Sequence, residues 1–117
     1  MEDRRKDFGR RGESFAAAYF LQKGFHIVAR NWSCRFGEID LIVEREGVIH
    51  FVEVKTRHSL NYGYPEEAIT KKKLDHLAKA IEWFLRTGEC SRYQVDALAV
   101  VKKQDGSLDV EWIQNIL

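Results

Sequence analysis

Two neighbouring segments that alternate charged and apolar residues constrain the fold of this chain more than any other feature. They are residues 37–43 and residues 51–55. A period of two is typical of strands that have one buried face and one open face. Between them, Glu46 and Gly47 fit a two-residue turn, because glycine readily adopts the positive φ that such a turn requires. The sequence therefore predicts an antiparallel hairpin.

This hairpin would place acids against each other on its open face. With a two-residue turn, the register sets Asp40 opposite Glu53 and Glu38 opposite Lys55, with paired Cβ atoms about 5 Å apart. Two carboxylates at this distance repel unless a cation lies between them, and Mg²⁺ prefers such oxygen ligands. A three-residue turn would shift the register and turn one set inward. The alternative is an ordinary solvated strand face, for which Glu38 and Lys55 would form a simple ion pair.

Length and composition limit the class of protein. A chain of 117 residues with three tryptophans and seven phenylalanines predicts one packed domain over residues 1–117. No apolar run approaches the roughly 20 residues of a membrane span, and the charged first residues do not resemble a secretory signal. Cys34 and Cys90 have no metal-ligand spacing. We therefore expect a cytoplasmic protein with free thiols.

The basic residues are clustered although the net charge is only +1. One group lies near the start of the chain and another spans residues 71–73. Local basic patches can contact phosphates on a nearly neutral protein, although most charge runs are only solvated faces. The candidate phosphate contacts are Arg10, Arg11, Arg57 and Lys73.

The remaining periodicity predicts two helices and three further strands. The predicted elements are a helix over about 7–23, a strand over 25–30, a loop over 31–36, the hairpin, a loop over 56–64, a helix from Pro65 or Thr70 to Thr87, and strands over 93–101 and 108–113. A helix between strands predicts that the fourth strand runs parallel to one of the first three. The expected result is a mixed sheet with a helix on each face and the acidic cluster at one edge. Glu13 would lie on the inner side of the first helix, where an acid needs a partner or a cation.

A series of landmarks in order then resembles one family. They are Gly12-Glu13, Ala16, Tyr19, Gly24, Asn31-Trp32, Gly37-Glu38-Ile39-Asp40-Leu41-Ile42, Phe51-Val52-Glu53-Val54-Lys55-Thr56-Arg57, Lys73 and Asp96. The series is similar to the YraN-type family of small bacterial proteins over nearly the whole chain. That family resembles archaeal Holliday-junction resolvases and the wider restriction-endonuclease-like PD-(D/E)xK superfamily. The implied fold is an α/β mixed central sheet flanked by helices, in the order α-β-β-β-α-β-β.

The resemblance implies a nuclease site that uses Mg²⁺ or Mn²⁺. Asp40 and Glu53 would hold the metal, Glu13 would complete the site, and Lys55 would position or deprotonate the attacking water. As a base, Lys55 would need a lowered pKa. Arg92 lies farther from Asp96 than in relatives and stays outside the predicted catalytic set, and the role of Glu38 stays open.

The expected substrate is nucleic acid, with DNA favoured, and repair or recombination of branched DNA is the implied context. Structure-selective or nonspecific cutting is favoured, because no element reads bases. A junction resolvase would need a two-fold dimer, for which the edge over residues 108–113, with Trp112, is a candidate contact, although a core position is favoured for Trp112. Two alternatives remain open. One is a nucleic-acid-binding or adaptor protein that keeps the fold without turnover, and the other is an interaction protein whose acids bind metal without chemistry.

Overall fold

The computed structural model describes residues 4–57, 70–88 and 92–117, with side chains from residue 11 onward. The described elements follow the predicted order α-β-β-β-α-β-β. They are α1 (Arg4–Gln22), β1 (His26–Cys34), β2 (Gly37–Arg45), β3 (Val48–Arg57), α2 (Lys71–Leu85), β4 (Tyr93–Lys102) and β5 (Leu108–Ile113). The predicted mixed α/β fold is confirmed, and it matches the element order that the restriction-endonuclease-like resemblance implies.

The five described strands lie in one sheet in chain order, β1-β2-β3-β4-β5. Neighbouring strands are antiparallel except for β3 and β4, which are parallel. A parallel pair needs a long crossover, and α2 lies within this one. The predicted parallel pairing of the fourth strand is therefore confirmed. The predicted position of the acids at a sheet edge is wrong, because β2 and β3 are interior strands.

Strand β1 continues through most of the predicted loop over residues 31–36. Pairing with β2 extends to the Cys34–Gly37 pair, which leaves only a two-residue turn. Asn31 remains in the strand with a φ of 50°. Asparagine is among the few residues other than glycine that tolerate this left-handed region. The loop prediction fails because it gave weight to the polar residues of this stretch. Trp32 lies among them and packs against the α2 side of the core.

The two helices cover opposite faces of the sheet, as predicted. Helix α1 packs the apolar side chains Ala16, Ala17 and Phe20 on Leu41, Val43, Val52, Leu98 and Val100. Helix α2 packs Leu77, Ala80 and Ile81 on Ile39, Ile42, Phe51 and Val95. No helix in the described residues combines the length and apolarity needed to cross a membrane.

The start of α2 is set by a side-chain cap. Thr70 Oγ1 accepts a hydrogen bond from Lys73 N at 3.3 Å, which satisfies one of the free amides of the first turn. The helix therefore begins at Lys71, directly after the later of the two predicted starts. The earlier start, Pro65, lies outside the described residues, as does most of the predicted loop over 56–64.

A glycine brings α1 unusually close to β3. A Cβ built on Gly12 would lie only 2.3 Å from Thr56 Cγ2, so any larger residue would force the helix or the strand to move. Real Cβ atoms essentially never approach a neighbour so closely. The next residue of the helix is Glu13. Gly12 therefore lets α1 carry an acid to the ends of the central strands.

Candidate functional site

The hairpin has the predicted turn but not the full predicted pairing. Glu46 and Gly47 have φ values of 52° and 77°, as in a turn that matches the strand twist. Over residues 38–55, which are all described, pairing of β2 with β3 runs from the turn to Leu41 opposite Val52 and then stops. The predicted pairing of Asp40 with Glu53, and of Glu38 with Lys55, is therefore wrong.

Asp40 takes the place of the next ladder hydrogen bond. Its Oδ2 accepts a hydrogen bond from Val54 N at 2.8 Å. At the point where the two strands separate, the backbone N–H of Val54 in β3 therefore donates to a side chain and not to the backbone of β2. The separation opens the ends of two interior strands, which is where the polar side chains of the candidate site gather.

Three carboxylates meet at this opening. One oxygen from each of Glu13, Glu38 and Asp40 lies within 4.8 Å of the other two. Glu13 comes from α1, and the other two come from β2. The cluster could hold a metal ion, because carboxylate oxygens are the ligands that hard divalent cations take. The structure thus brings Glu13 to Asp40, as expected, and adds Glu38, whose role the sequence left open.

Asn31 is a site residue that the sequence analysis did not assign. With its amide oriented to satisfy both partners, the side-chain nitrogen donates to Glu13 Oε2 and Glu38 Oε1, each at 3.0 Å. This neutral donor bridges two carboxylates that would otherwise repel. The only sequence signal for this role was the place of Asn31 among the family landmarks. The left-handed backbone conformation that directs the side chain cannot be recognised from the sequence pattern.

Burial and neighbouring negative charges raise the pKa values of two of these acids, Asp40 and Glu13. Burial raises the pKa of Asp40 to about 7, and the charge of Glu53 adds to the shift, while the hydrogen bond from Val54 opposes it. Burial, followed by the charge of Glu38, raises the pKa of Glu13. A cation among these carboxylates would oppose both shifts, because it favours their charged forms.

Glu53 lies beside the cluster and binds a lysine. Lys55 Nζ is 3.0 Å from Glu53 Oε1, and both side chains are more than four-fifths buried. Burial alone would lower the pKa of Lys55, but the charge and hydrogen bond of Glu53 outweigh it and the pKa is raised. The lowered pKa that a general base requires is therefore not found. Lys55 is a protonated ammonium that carries charge into the site.

A second lysine reaches the same place from α2. The side chain of Lys73 approaches that of Lys55, and the proximity of the Lys55 ammonium group lowers the pKa of Lys73. A cleft of about 190 Å³ lies between α2 and the opened strand ends. Its lining residues are Gly37, Glu38, Glu53, Lys73, His76 and Leu77. The cleft therefore joins acids of the candidate site to a lysine of the helix.

The predicted phosphate contacts are only partly gathered here. Lys73 lines the cleft, and Arg57 is close enough that its charge also lowers the pKa of Lys73. Arg57 Nε is buried and has no hydrogen-bond partner among the described residues. Arg11 is exposed on α1 and lines a different, smaller cleft beside β4 and β5. Arg10 lies in α1, before the first residue whose side chain the structure describes.

A further acid, Asp96 on β4, has different surroundings. It is completely buried, and its carboxylate accepts hydrogen bonds from four partners. The donors are His50 Nδ1 at 2.8 Å, Gln94 Nε2 at 2.9 Å, Trp112 Nε1 at 3.0 Å and Asn115 N at 3.0 Å. These partners tie β3, β5 and the residues after β5 to β4. Asp96 therefore serves the packing of the sheet.

Comparison with known proteins places the chain in a family. The family model described as "Uncharacterised protein family UPF0102" matches residues 12–100. A UPF0102 protein of Caldicellulosiruptor saccharolyticus is 37% identical over 114 residues, which cover 95% of this chain and 97% of the relative. A UPF0102 protein of Clavibacter michiganensis is 38% identical over 114 residues, which cover 96% and 97%.

The chain belongs to the UPF0102 family. This membership is consistent with the YraN-type resemblance drawn from the sequence landmarks. The part that matches the UPF0102 model begins at Gly12 and ends within β4, so it contains the carboxylate cluster, Lys55, Lys73 and Asp96. Arg10, Arg11 and Trp112 lie outside it. The catalytic and binding roles assigned to individual residues remain predictions.

Proposed function

We propose that this UPF0102 protein is a metal-dependent nuclease that acts on DNA. The observation that carries the proposal is the meeting of Glu13, Glu38 and Asp40 at the opened end of two interior strands, beside a buried Glu53–Lys55 pair. Acids brought together from a helix and a strand, with a lysine next to them, suit the hydrolysis of phosphodiesters. The structure-selective or nonspecific action expected from the sequence is part of the proposal.

The donor set fits Mg²⁺ or Mn²⁺. All candidate ligands are carboxylate oxygens, and soft ligands that would select other metals are missing from the described cluster. Asp40 is the common member, because it clusters with Glu13 and Glu38 and is also close enough to Glu53 for that charge to raise its pKa. A bound divalent cation would supply Lewis-acid polarisation of the phosphate and activation of water.

The charges of the site residues determine the other roles that we propose for them. Asp40 is fixed in place by Val54 N, so it offers its oxygens without reorganisation. Lys55, oriented by Glu53 at 3.0 Å, presents a positive charge where negative charge develops on the phosphate. In the hydrolysis, a water oxygen bonds to phosphorus, one ester P–O bond breaks, and the leaving oxygen takes up a proton.

The basic residues at the cleft suit the flanking phosphates. Lys73 lines the cleft and the charge of Arg57 acts on Lys73, which supports contacts of both residues with the backbone next to the scissile bond. Such contacts set affinity and salt dependence and carry no base sequence. Arg10 and Arg11 belong to α1 and would contact more distant phosphates.

The direct test is a cleavage assay on four-way junctions, flaps, single strands and duplex DNA with Mg²⁺ and with Mn²⁺. We expect the wild type to cut and both Asp40→Asn and Lys55→Ala to lose at least about 100-fold in rate. Asp109→Asn is the matched control, because this acid is exposed on β5 and pairs only with the surface residue Lys103 at 3.2 Å among its described ion-pair contacts.

The assay also separates the alternatives. Cutting that survives both site variants would show that this site is not catalytic and would contradict the proposal. Binding of DNA without any cutting would support the non-catalytic nucleic-acid-binding protein. Calorimetry with Mn²⁺ on Glu53→Gln and Glu38→Gln would show which of these two acids shares the metal with Asp40.

A further inference from the structure

An aromatic surface lies next to the cleft and has no part in the carboxylate site. Trp83 on α2 contacts Phe36 in the β1–β2 turn, with ring centroids 5.9 Å apart and an interplanar angle of 66°. Trp83 still exposes 37% of its surface, although tryptophan carries the largest apolar ring system of all side chains. Trp32, by comparison, faces Phe84 within the core. The exposed indole is therefore available to a ligand.

Two arginines flank these rings. The guanidinium of Arg35 lies 5.2 Å from the Phe36 centroid, and that of Arg86 lies 5.4 Å from the Trp83 centroid. Both arginines are exposed. Cation–π contacts of this kind hold each guanidinium over one face of its ring, and the N–H groups at the outer edge of the guanidinium can bind an anion. We name Arg35, Phe36, Trp83 and Arg86 the aromatic platform.

The platform continues from the cleft along α2. His76 lines the cleft, and Trp83 follows seven residues later, which is about two turns on the same helix face. Phe36 stands two residues before Glu38 of the carboxylate cluster. At a rise of 1.5 Å per residue, the ten residues from Lys73 to Trp83 span about 15 Å. A nucleic-acid strand could therefore extend from the cleft to the platform.

We propose that the aromatic platform binds an unpaired nucleobase, with the adjacent phosphates on Arg35 and Arg86. The proposal rests on the proposed nuclease function and specifies its substrate class as nucleic acid with a single-stranded segment. Stacking on an aromatic side chain needs an exposed base face, which a paired duplex hides. It accepts every base, because each has a π face, and so agrees with a site that reads structure and not sequence.

The test compares a fluorescent oligothymidine with a labelled duplex of equal length by fluorescence anisotropy in EDTA, where no metal-dependent cutting occurs. We expect Trp83→Leu to weaken binding of oligothymidine about 5-fold or more and to change duplex binding less than about twofold. Trp83→Phe, which keeps a ring, should retain most of the affinity. Tyr93→Leu is the matched control, because Tyr93 is 50% exposed on β4 outside the platform.

Thermal unfolding of each variant guards against a folding defect, since Trp83 also packs on Phe36. Arg35→Ala and Arg86→Ala should each lower the slope of log affinity against log salt by about 0.7 for the single strand. Unchanged oligothymidine affinity in Trp83→Leu, or an equal loss for single strand and duplex, would overturn the platform.

Failure of the platform and failure of the nuclease give different results. If the wild type cuts DNA in a metal-dependent way while Trp83→Leu keeps its single-strand affinity, only the platform is wrong. If oligothymidine binds through Trp83 and no substrate is cut, the platform is supported and the nuclease is wrong. If the wild type binds no nucleic acid, both are wrong.

Discussion

Asp40 and Asp96 lie in the same sheet and have opposite surroundings. Asp96 is enclosed by hydrogen-bond donors from a histidine, a glutamine, a tryptophan and a backbone amide. Asp40 accepts one hydrogen bond from a backbone amide and lies among the carboxylates of Glu13, Glu38 and Glu53, whose effect the charge of Lys55 only partly offsets. A buried acid with its donors in place stabilises the fold. A half-buried acid among other acids is left to be satisfied by a cation, and this difference separates the structural centre from the candidate site.

The largest expected effect is a difference in sign between the two asparagine variants. Asp96→Asn should lower the free energy of unfolding by about 3 kcal/mol, because an amide has one acceptor oxygen and adds donors where donors already converge. Asp40→Asn should raise the stability of the metal-free protein at pH 8, because it removes a repelled charge. Urea unfolding in EDTA measures both, and destabilisation of similar size in the two variants would break the comparison.

The second effect is the pH dependence of the metal-free protein. The pKa of Asp40 is raised to about 7 in the folded state from an ordinary value of 3.8, so the folded state holds a proton that the unfolded state has released. This stability is fully present below pH 3.8 and is lost as the pH rises through 7. We expect a loss of about 2 kcal/mol between pH 5 and pH 8, since neighbouring acids share the titration.

Urea midpoints in EDTA at pH 5 and pH 8 provide this measurement, with Asp40→Asn as the control that should flatten the profile. Saturating Mn²⁺ should reverse the trend, because protons compete with the metal for the same carboxylates. A wild type that gains stability from pH 5 to pH 8 in EDTA would show that Asp40 is not crowded.

The third effect concerns the approach of α1. Gly12→Ala should cost about 1–2 kcal/mol, since the clash with Thr56 exceeds the gain of roughly 1 kcal/mol from alanine in a helix. It should also weaken Mn²⁺ binding by displacing Glu13. Thr56→Ser removes the clashing Cγ2, so the double variant should recover both stability and metal affinity. Failure of this rescue would mean that the close approach does not position Glu13.

The smallest effect is expected at Asn31. Asn31→Gly keeps the left-handed backbone and removes the bridging amide, so the pKa of Glu13 should rise further and Mn²⁺ affinity should fall by up to about tenfold. Asn31→Ala should show the same loss plus a stability cost of about 1 kcal/mol for the strained backbone. Carboxyl NMR titration and calorimetry measure these quantities, and an unchanged Glu13 pKa in Asn31→Gly would contradict the bridge.

The sequence predicted what depends on regular patterns. The hairpin turn at Glu46 and Gly47 followed from residue type, and the parallel β3–β4 pair followed from a helix between strands. The inward position of Glu13 followed from helical periodicity. Each of these depends on local geometry that the residues themselves restrict.

What the sequence could not predict depends on competition between partners. The predicted hairpin register assumed that backbone pairing continues beyond Leu41. Instead, the backbone N–H of Val54 donates to the side chain of Asp40. The raised pKa of Lys55 results from the charge and hydrogen bond of Glu53, which outweigh the effect of burial and which alternation along a strand does not reveal. The bridging role of Asn31 needs a backbone conformation that only the folded sheet imposes.

The hydrogen bond from Val54 N to Asp40 also gives the protein an internal spectroscopic reporter. A backbone amide that donates to a carboxylate changes its proton chemical shift when that carboxylate gains a proton or a cation. One assigned amide resonance, in the interior of the sheet, would therefore follow protonation and metal uptake at the site without any label or substrate. Its exchange rate with solvent would in turn measure how often the hydrogen bond between Val54 and Asp40 opens.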